Sequence, residues 1–289
     1  MTSTPASSEG VLVAPGRGLG FIGVFTHRYL LSLLVRKEVQ IRYRGSVLGW
    51  LWSYVKPLIQ FFVFFIAIGV FLGQNDRVEY FPLYLLAGIT VVTFFNEAFA
   101  NGTRSLVDNA ALIKKIYLPR EMFPVASVLV AAVNIVPQIV VIIAIAVFFG
   151  WTPSLLGILA LLLALAIIAL LAAGLGMLFG SINVTFRDAQ SFVEIIVMCS
   201  VWASPVMYQW TMVAARVPDW LFTIYQLNPI TAAVELFHYG IWMPLEPRDA
   251  VAFPGLWLFG AIALGVSFLF LLAGQAVFRR LESRFAQDL

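Results

Sequence analysis

Six long apolar stretches, separated by shorter polar segments, form the pattern of this chain. A helix needs about 20 mostly apolar residues to cross the hydrocarbon core of a bilayer. The pattern therefore predicts six membrane-spanning helices, at residues 51–73, 81–101, 122–149, 154–181, 192–208 and 254–278. The expected fold class is all-α and integral to the membrane.

The longest connection, residues 209–253, lies between the fifth and sixth predicted spans. Its middle part, residues 217–241, is too apolar for a free loop, while Pro218, Pro229 and Pro244 interrupt the connection. Because proline breaks helical hydrogen bonding, we expect one or two short helices there. Such helices either re-enter the membrane or lie at its outer surface.

Basic residues are distributed very unequally over the two sides of this six-span layout. Of the 18 Lys and Arg residues, only Arg77, Arg216 and Arg248 fall on the side opposite the termini. Lys and Arg are retained on the cytoplasmic side of membranes, so both termini are predicted to be cytoplasmic. Since the basic residues flank the spans and form no single patch, nucleic acid is not an expected partner.

The approach to the first span has the residue order of a chain entering a bilayer from the cytoplasm. Its basic residues are Arg36, Lys37, Arg42, Arg44 and Lys56. Trp50, Trp52 and Tyr54 lie among them, at the expected headgroup depth, and an apolar run follows. The predicted segments are a flexible cytoplasmic tail rich in Ser, Thr, Pro and Gly (1–20), an interfacial helix (21–50) and a transmembrane domain (51–289).

The cytoplasmic loop between the second and third spans is predicted to contain a short helix, residues 110–118. Asp108 or Asn109 would cap it and Pro119 would end it. One apolar face is formed by Leu106, Ala110, Ile113 and Tyr117. Two interpretations are open: this face docks into a groove of a partner protein, or the helix lies on the inner leaflet, held by Lys114 and Lys115.

Motifs for nucleotide, metal or acyl chemistry are absent from the sequence. It contains no Gly-Lys-Ser/Thr loop, no HExxH motif and no Gly-x-Ser-x-Gly elbow. Cys199 is the only cysteine, and His27 and His238 lie far apart in the chain. We therefore predict no catalytic residue, no metal site and no cofactor on this chain.

Glu97 is an acid in the middle of an apolar span, which marks a functional candidate or a hydrogen-bonded carboxyl group. With so few intramembrane charges, the energy for any transport is expected to come from outside the chain. Aromatic residues make up 15% of the sequence, and they suit either interface belts or a pathway on which sugar rings stack. The pathway candidates are Trp50, Trp52, Tyr54, Phe61, Phe65, Phe95, Glu97, Trp202 and Tyr208.

Five segments resemble ABC-2-type permeases that export polysaccharides, and they occur in the order of that family. They are RYRGSVLGWLW (42–52) with Lys56-Pro57, KIYLPRE (115–121), NVTFRD (183–188), SPVMY (204–208) and LNPI (227–230). The resemblance runs from about residue 29 to the end of the chain. It implies an ABC-2 (type V) exporter fold, with six transmembrane helices per protomer, in the bacterial cytoplasmic membrane.

The resemblance also implies partners: a second copy of the chain and two ABC ATPase subunits that carry the ATP and Mg. The residues coupled to the ATPase would be Asn109, Leu112, Ile113, Lys114, Lys115 and Tyr117. The substrate would be a glycan on a polyprenyl diphosphate lipid. The residues that would receive the diphosphate are Arg36, Lys37, Arg42 and Arg44, although these same residues would also serve as positive-inside anchors.

O-antigen, wall teichoic acid and actinobacterial galactan all fit as the glycan, and the Ala- and Val-rich spans with a Ser/Thr tail favour galactan. The nearest alternative is an ABC-2 permease for drugs or lipids. A membrane glycosyltransferase is disfavoured because no loop carries a convergent set of acids and histidines. A self-powered carrier is disfavoured by the few buried charges.

Overall fold

The structure is a computed structural model. It describes Val24, Gly45 and residues 26–43, 49–115, 118–245 and 251–285. The predicted tail at residues 1–20 lies outside the described residues. Within the described part, every regular element is a helix, which confirms the all-α fold class.

The α-helices of this described part are numbered in chain order. They are α1 (Arg28–Tyr43), α2 (Trp52–Phe64), α3 (Phe81–Asp108), α4 (Ala110–Lys115), α5 (Met122–Phe148), α6 (Leu155–Thr185), α7 (Ala189–Trp202), α8 (Trp210–Ala214), α9 (Asp219–Leu227), α10 (Pro229–Ile241) and α11 (Leu256–Leu281). A π-helix, Phe65–Phe71, continues α2. Short 3-10 turns occupy Gly49–Leu51, Gln74–Asp76, Met243–Leu245 and Glu282–Arg284.

Five helical stretches in the described residues are long and apolar enough to cross a membrane: Tyr54–Phe71, α3, α5, α6 and α11. They correspond to five of the six predicted spans. The predicted fifth span, residues 192–208, differs because α7 begins at Ala189 and ends at Trp202. Its 14 residues extend about 21 Å, short of the ~30 Å hydrocarbon core.

The chain after α7 turns inside the protein. Ser204 and Pro205 are buried, and the hydroxyl of Tyr84 donates a hydrogen bond to the carbonyl oxygen of Pro205 (2.8 Å). Proline disfavours helical geometry in the preceding residue, which is the physical reason that the helix does not continue to Tyr208. Irregular backbone is tolerated at such a place because the protein buries it and pairs its polar groups.

α3 is seven residues longer than the predicted span, which ended at residue 101. The hydroxyl groups of Thr103 and Ser105 are buried and donate to the carbonyl oxygens of Phe99 (3.0 Å) and Gly102 (2.7 Å). The polar residues that suggested a loop are therefore satisfied within the helix. Conversely, α4 is shorter than the predicted helix 110–118, since Leu118 precedes Pro119 and is not helical.

The core forms where α3, α6, α10 and α11 pack together. The segment 217–241, for which one or two short helices were predicted, contains α9 and α10. α10 begins at Pro229, with the side chain of Asn228 accepting a hydrogen bond from the amide of Ile230 (3.1 Å). Its residues from Ile230 to His238 are buried, so it is an interior helix and not one lying on the protein surface.

Glycines allow the closest helix approaches, on two sides of α6. A Cβ atom on Gly274 of α11 would lie 2.1 Å from the carbonyl oxygen of Gly174. On the opposite side, a Cβ atom on Gly102 of α3 would lie 3.2 Å from the Cα atom of Gly176. Backbone-to-backbone contact of this kind is typical of membrane helices, because small residues let them pack tightly.

α2 and its π-helical continuation lie at the edge of the bundle. Only 11% of the span Tyr54–Phe71 is buried, against 72% for α3. Its exposed apolar side chains include Leu58, Phe62 and Val70. Within one protomer, this span therefore has one face on the bundle and a wide apolar face available to lipid or to another chain.

Candidate functional site

A large polar cavity lies between α1, α2, α3 and α7, with a volume of about 630 Å³. Its lining residues are Arg42, Gly49, Trp52, Lys56, Pro57, Gln60, Thr93, Asn96, Glu97, Ala100, Asn101, Arg104 and Val197. These residues come from the basic approach to the first span, from that span itself and from the inner half of α3. The cavity therefore lies at the end of the bundle that the distribution of basic residues predicts to be cytoplasmic.

The polar wall of the cavity is one stripe along α3. Thr93, Asn96, Glu97, Asn101 and Arg104 follow the i, i+3, i+4, i+8, i+11 spacing of a single helix face. Only Glu97 of this stripe was predicted from the sequence as a site residue. The spacing of polar residues on one face of an apolar span was the signal that would have identified the other four.

Glu97 joins three helices at this wall. Its Oε1 atom is ion-paired with the guanidinium of Arg42 from α1. The same atom accepts a hydrogen bond from the side-chain amide of Asn134 in α5 (2.6 Å). The side chains of Arg42 and Glu97 keep 33% and 20% of their surface exposed, so the pair borders the cavity and is reachable from it.

The cavity carries a surplus of positive charge. Arg42, Lys56 and Arg104 face a single acid, Glu97, which leaves a formal charge of +2. The guanidinium of Arg104 also donates to the side-chain oxygen of Asn101 (3.2 Å). In the partly dehydrated interior of a membrane protein, such a surplus attracts anions far more strongly than it would in water.

The predicted diphosphate residues lie in different places. Arg42 reaches the cavity, whereas Arg36 is exposed and is not part of the lining. The ammonium group of Lys37 donates to the side-chain oxygen of Asn109 (2.6 Å). Arg44 lies outside the described residues. Lys56 and Arg104, which the sequence analysis did not select for this role, complete the set of cavity cations.

The aromatic candidates on the first span divide between two sides. Trp52 lines the cavity, while the side chain of Trp50 lies outside the described part. Tyr54 faces away and donates to the backbone oxygen of Asn134 (3.3 Å), beside a separate apolar groove of about 320 Å³. Phe61 and Phe65 stack on each other at 5.8 Å, half-buried against the core.

The remaining aromatic candidates lie away from the lining. Phe95 is 1% exposed and packs on Phe99 in the core, because its position on α3 points to the opposite face from Glu97. Trp202 is exposed, with its ring 6.4 Å from that of Phe64. The hydroxyl of Tyr208 donates to the backbone oxygen of Trp202 (2.6 Å). Phe95 is therefore part of the core and does not reach the cavity.

A polar contact joins α7 to the cavity wall. The hydroxyl of Ser200 donates to the side-chain oxygen of Asn96 (2.9 Å). Val197, one turn before Ser200, lines the cavity itself. α7 is thus the fourth wall, and it contacts α3 through this hydrogen bond and through apolar packing of Val193 and Val201 in the core.

α4 presents a mixed surface. Leu112 and Ile113 are half-buried against an inner cluster that contains Leu106 and Phe123, so part of the predicted apolar face packs on the protein's own core. Ala111, Lys114 and Lys115 are exposed. Tyr117 lies outside the described residues, and Asn109 is buried at 7% exposure.

Comparison with known proteins assigns the family. Residues 29–242 match the model of the ABC-2 type transporter family. The chain is similar to the O-antigen export system permease protein RfbA of Klebsiella pneumoniae, with 29% identity over 276 residues, covering 90% of this chain and 96% of that protein.

Two further relatives extend the comparison. RfbA of Myxococcus xanthus is 26% identical over 277 residues, covering 92% of this chain and 97% of that protein. The polysialic acid transport protein KpsM of Escherichia coli is 21% identical over 262 residues, covering 90% and 96%. The resemblance carried by the five sequence segments is thereby confirmed, and this chain belongs to the ABC-2 type transporter family.

Proposed function

We propose that this chain is the permease subunit of an ABC exporter that moves a lipid-linked polysaccharide across the bacterial cytoplasmic membrane. The observation that carries the proposal is the polar, positively charged cavity of about 630 Å³ inside an apolar bundle. Burying polar and charged side chains in a membrane helix bundle is costly, so a lining of this kind favours a polar, anionic ligand. Its relatives are named as permeases for O-antigen and as a transport protein for polysialic acid.

The cavity has the two chemistries that a lipid-linked glycan requires. Amide and hydroxyl groups of Gln60, Thr93, Asn96 and Asn101 can donate to and accept from sugar hydroxyls. The cations Arg42, Lys56 and Arg104 suit the diphosphate that joins a glycan to its lipid, since guanidinium groups bind phosphate oxygens in pairs. Trp52 offers a ring face for a sugar.

ATP hydrolysis is proposed to take place on two separate ABC ATPase subunits, which hold ATP and Mg. The sequence has no phosphate-binding loop of its own. The exposed surface of α4, with Ala111, Lys114 and Lys115, is the proposed docking site for these subunits. Because Leu112 and Ile113 are anchored in the inner cluster, a push on α4 would be transmitted directly to α3.

A second copy of the chain is proposed to complete the pathway. Only 11% of the residues of the first span, Tyr54–Phe71, are buried in a single protomer. The side chains that α7 exposes include Phe192, Ile195 and Trp202. Both α2 and α7 are walls of the cavity. A partner copy packed against these faces would close the cavity from the lipid and turn it into a channel.

Depletion of this protein in its own host tests the function. We expect a long polymer on a polyprenyl diphosphate to accumulate on the cytoplasmic side, because synthesis continues while export stops. Mass spectrometry of extracted lipid-linked glycans would identify the polymer and separate O-antigen, teichoic acid and galactan, the last being the glycan that the sequence favours. Unchanged lipid-linked glycans, together with altered sensitivity to small amphiphiles, would instead indicate a permease for drugs or lipids.

The proposal includes six crossings, with α7 and the buried turn after it forming the fifth. Residues 209–253 then face outward. A cysteine at the exposed Asp219, in a Cys199→Ser background, should react with a membrane-impermeant maleimide in intact cells. A cysteine at Asp188, equally exposed but in the predicted cytoplasmic turn between α6 and α7, is the matched control and should react only after the cells are opened. Reaction at Asp188 and not at Asp219 in intact cells would invert the topology.

A further inference from the structure

Two of the polar contacts that α1 makes with other described helices lie at functionally different places. The ammonium group of Lys37 donates to the side-chain oxygen of Asn109 (2.6 Å), directly before α4. Asn109 in turn donates to the backbone oxygen of Ser105 (3.0 Å). Five residues after Lys37, Arg42 pairs with Glu97 in the cavity wall. A short stretch of α1 therefore connects the cavity to the base of the proposed ATPase docking helix.

A cleft separates part of this stretch of α1 from α3 and α5. A second cavity, of about 230 Å³, lies between α1, α3 and α5, and both Arg42 and Asn109 line it. Two acids, Glu38 of α1 and Asp108 of α3, also line this cavity, and like charges repel each other. Leu34 of α1 packs on the inner cluster that contains Phe123, while the contacts of Lys37 and Arg42 hold the part of α1 that borders this cavity.

Building on the proposed function, we propose that Glu97 is the resident counter-ion of an anion site and that a diphosphate replaces it at Arg42. When Arg42 exchanges Glu97 for the ligand, α1 is released from α3 at the cavity. The movement of α1 reaches α4 through Lys37 and Asn109. Binding of a diphosphate in the cavity thereby raises ATP hydrolysis by the ATPase subunits.

The contacts of Glu97 make this exchange feasible. After Arg42 leaves, the Oε1 atom of Glu97 retains its hydrogen bond from Asn134 (2.6 Å), so the carboxylate is not left without a partner, which would be strongly unfavourable. In this exchange Arg42 loses the carboxylate of Glu97, which carries one negative charge, and gains a diphosphate, which carries more. The guanidinium binds two phosphate oxygens at once, and Lys56 and Arg104 face the same space.

The charge-neutral variant Glu97→Gln should imitate the ligand-bound state. In the complex of this chain with its ATPase subunits in lipid nanodiscs, we expect basal ATP hydrolysis to rise at least about fivefold, the lower end of allosteric couplings. We also expect the affinity for a diphosphate to increase, because the competing carboxylate is gone. If the ion pair had a purely structural role, Glu97→Gln would instead lower the affinity for a diphosphate, since loss of the pair would disorder Arg42.

The experiment uses inorganic pyrophosphate and geranylgeranyl diphosphate as separate probes of binding and of ATP hydrolysis. Stimulation by both assigns the site to the diphosphate group itself, whereas stimulation by the prenyl form alone assigns it to a lipid head group. Arg42→Gln should raise basal hydrolysis as well but abolish the response to either probe. Lys37→Met should leave the affinity for the diphosphate unchanged while removing the stimulation, because the connection to Asn109 is cut.

Glu194→Gln is the matched control, since it removes the same charge from an exposed position on α7 outside the cavity lining. It should behave as the wild type in every assay. Wild-type basal hydrolysis in Glu97→Gln, or weaker diphosphate binding by that variant, would overturn the exchange. Polymer accumulation on depletion is independent of this outcome, so failure of the exchange and failure of the exporter assignment are distinguished.

Discussion

Gly274→Ala should strongly destabilise the protein, although it adds a single methyl group. The new Cβ atom would lie 2.1 Å from the backbone oxygen of Gly174. Backbone cannot move aside as a flexible side chain can, so α6 and α11 would have to separate along their contact. Overpacking of a tight core costs about 1–3 kcal/mol, and we expect the upper end of that range here.

Gly265→Ala is the matched control on the same helix, since a Cβ atom there would have no neighbour within 4 Å. Replacing a helical glycine by alanine at an open position is expected to stabilise the helix by roughly 0.5–1 kcal/mol. The two variants should therefore shift the thermal unfolding midpoint in detergent in opposite directions. Equal midpoints for both would show that the close approach of α6 and α11 does not exist.

Lys56→Glu should abolish most export. It changes the formal charge of the cavity from +2 to zero, because a cation becomes an acid beside Glu97. One unit charge at about 8 Å contributes ~2 kcal/mol at an effective dielectric constant of about 20. That energy corresponds to roughly a 30-fold loss in affinity for an anionic head group. Because Lys56→Glu changes the charge by two units, the expected change in binding free energy is twice as large.

Export is measured by the ratio of surface glycan to cytoplasmic lipid-linked glycan in cells that express each variant at equal levels. Lys56→Gln should give an intermediate ratio, since it removes the charge without reversing it. Arg216→Glu, on the exposed connection after α8, is the control for a charge reversal outside the cavity and should export normally. Normal export by Lys56→Glu would contradict a role for cavity charge in substrate binding.

Several features of the fold were predictable because they depend on local pattern. The apolar runs correctly predicted five long helices, since burying about 20 apolar residues in lipid requires no knowledge of the neighbours. The proline-bounded segment correctly predicted α9 and α10, because proline affects its own turn and the preceding residue. Both inferences use interactions within one segment.

Other features were missed because tertiary contacts override the local pattern. α3 continues to Asp108 because its last turns pack on α6, with Gly102 against Gly176. Pro205 explains locally why α7 does not continue to Tyr208, but only the tertiary structure decides that the turn after Trp202 is buried against Tyr84. The burial of α10 depends on α6 and α11 surrounding it, which no pattern within its own 13 residues specifies.

In the candidate site too, some features follow from the local sequence and others only from tertiary contacts. The sequence by itself determined a basic, aromatic approach to the first span and an acid at Glu97, because basic and aromatic residues mark a membrane boundary and a charge within a span is costly. Only the tertiary structure decided that Arg42 pairs with Glu97, 55 residues away, and that Lys56 and Arg104 face the same cavity while Phe95 lies in the core. Composition specifies which side chains a membrane helix carries, but the packing of helices distant in sequence determines which of them share a cavity.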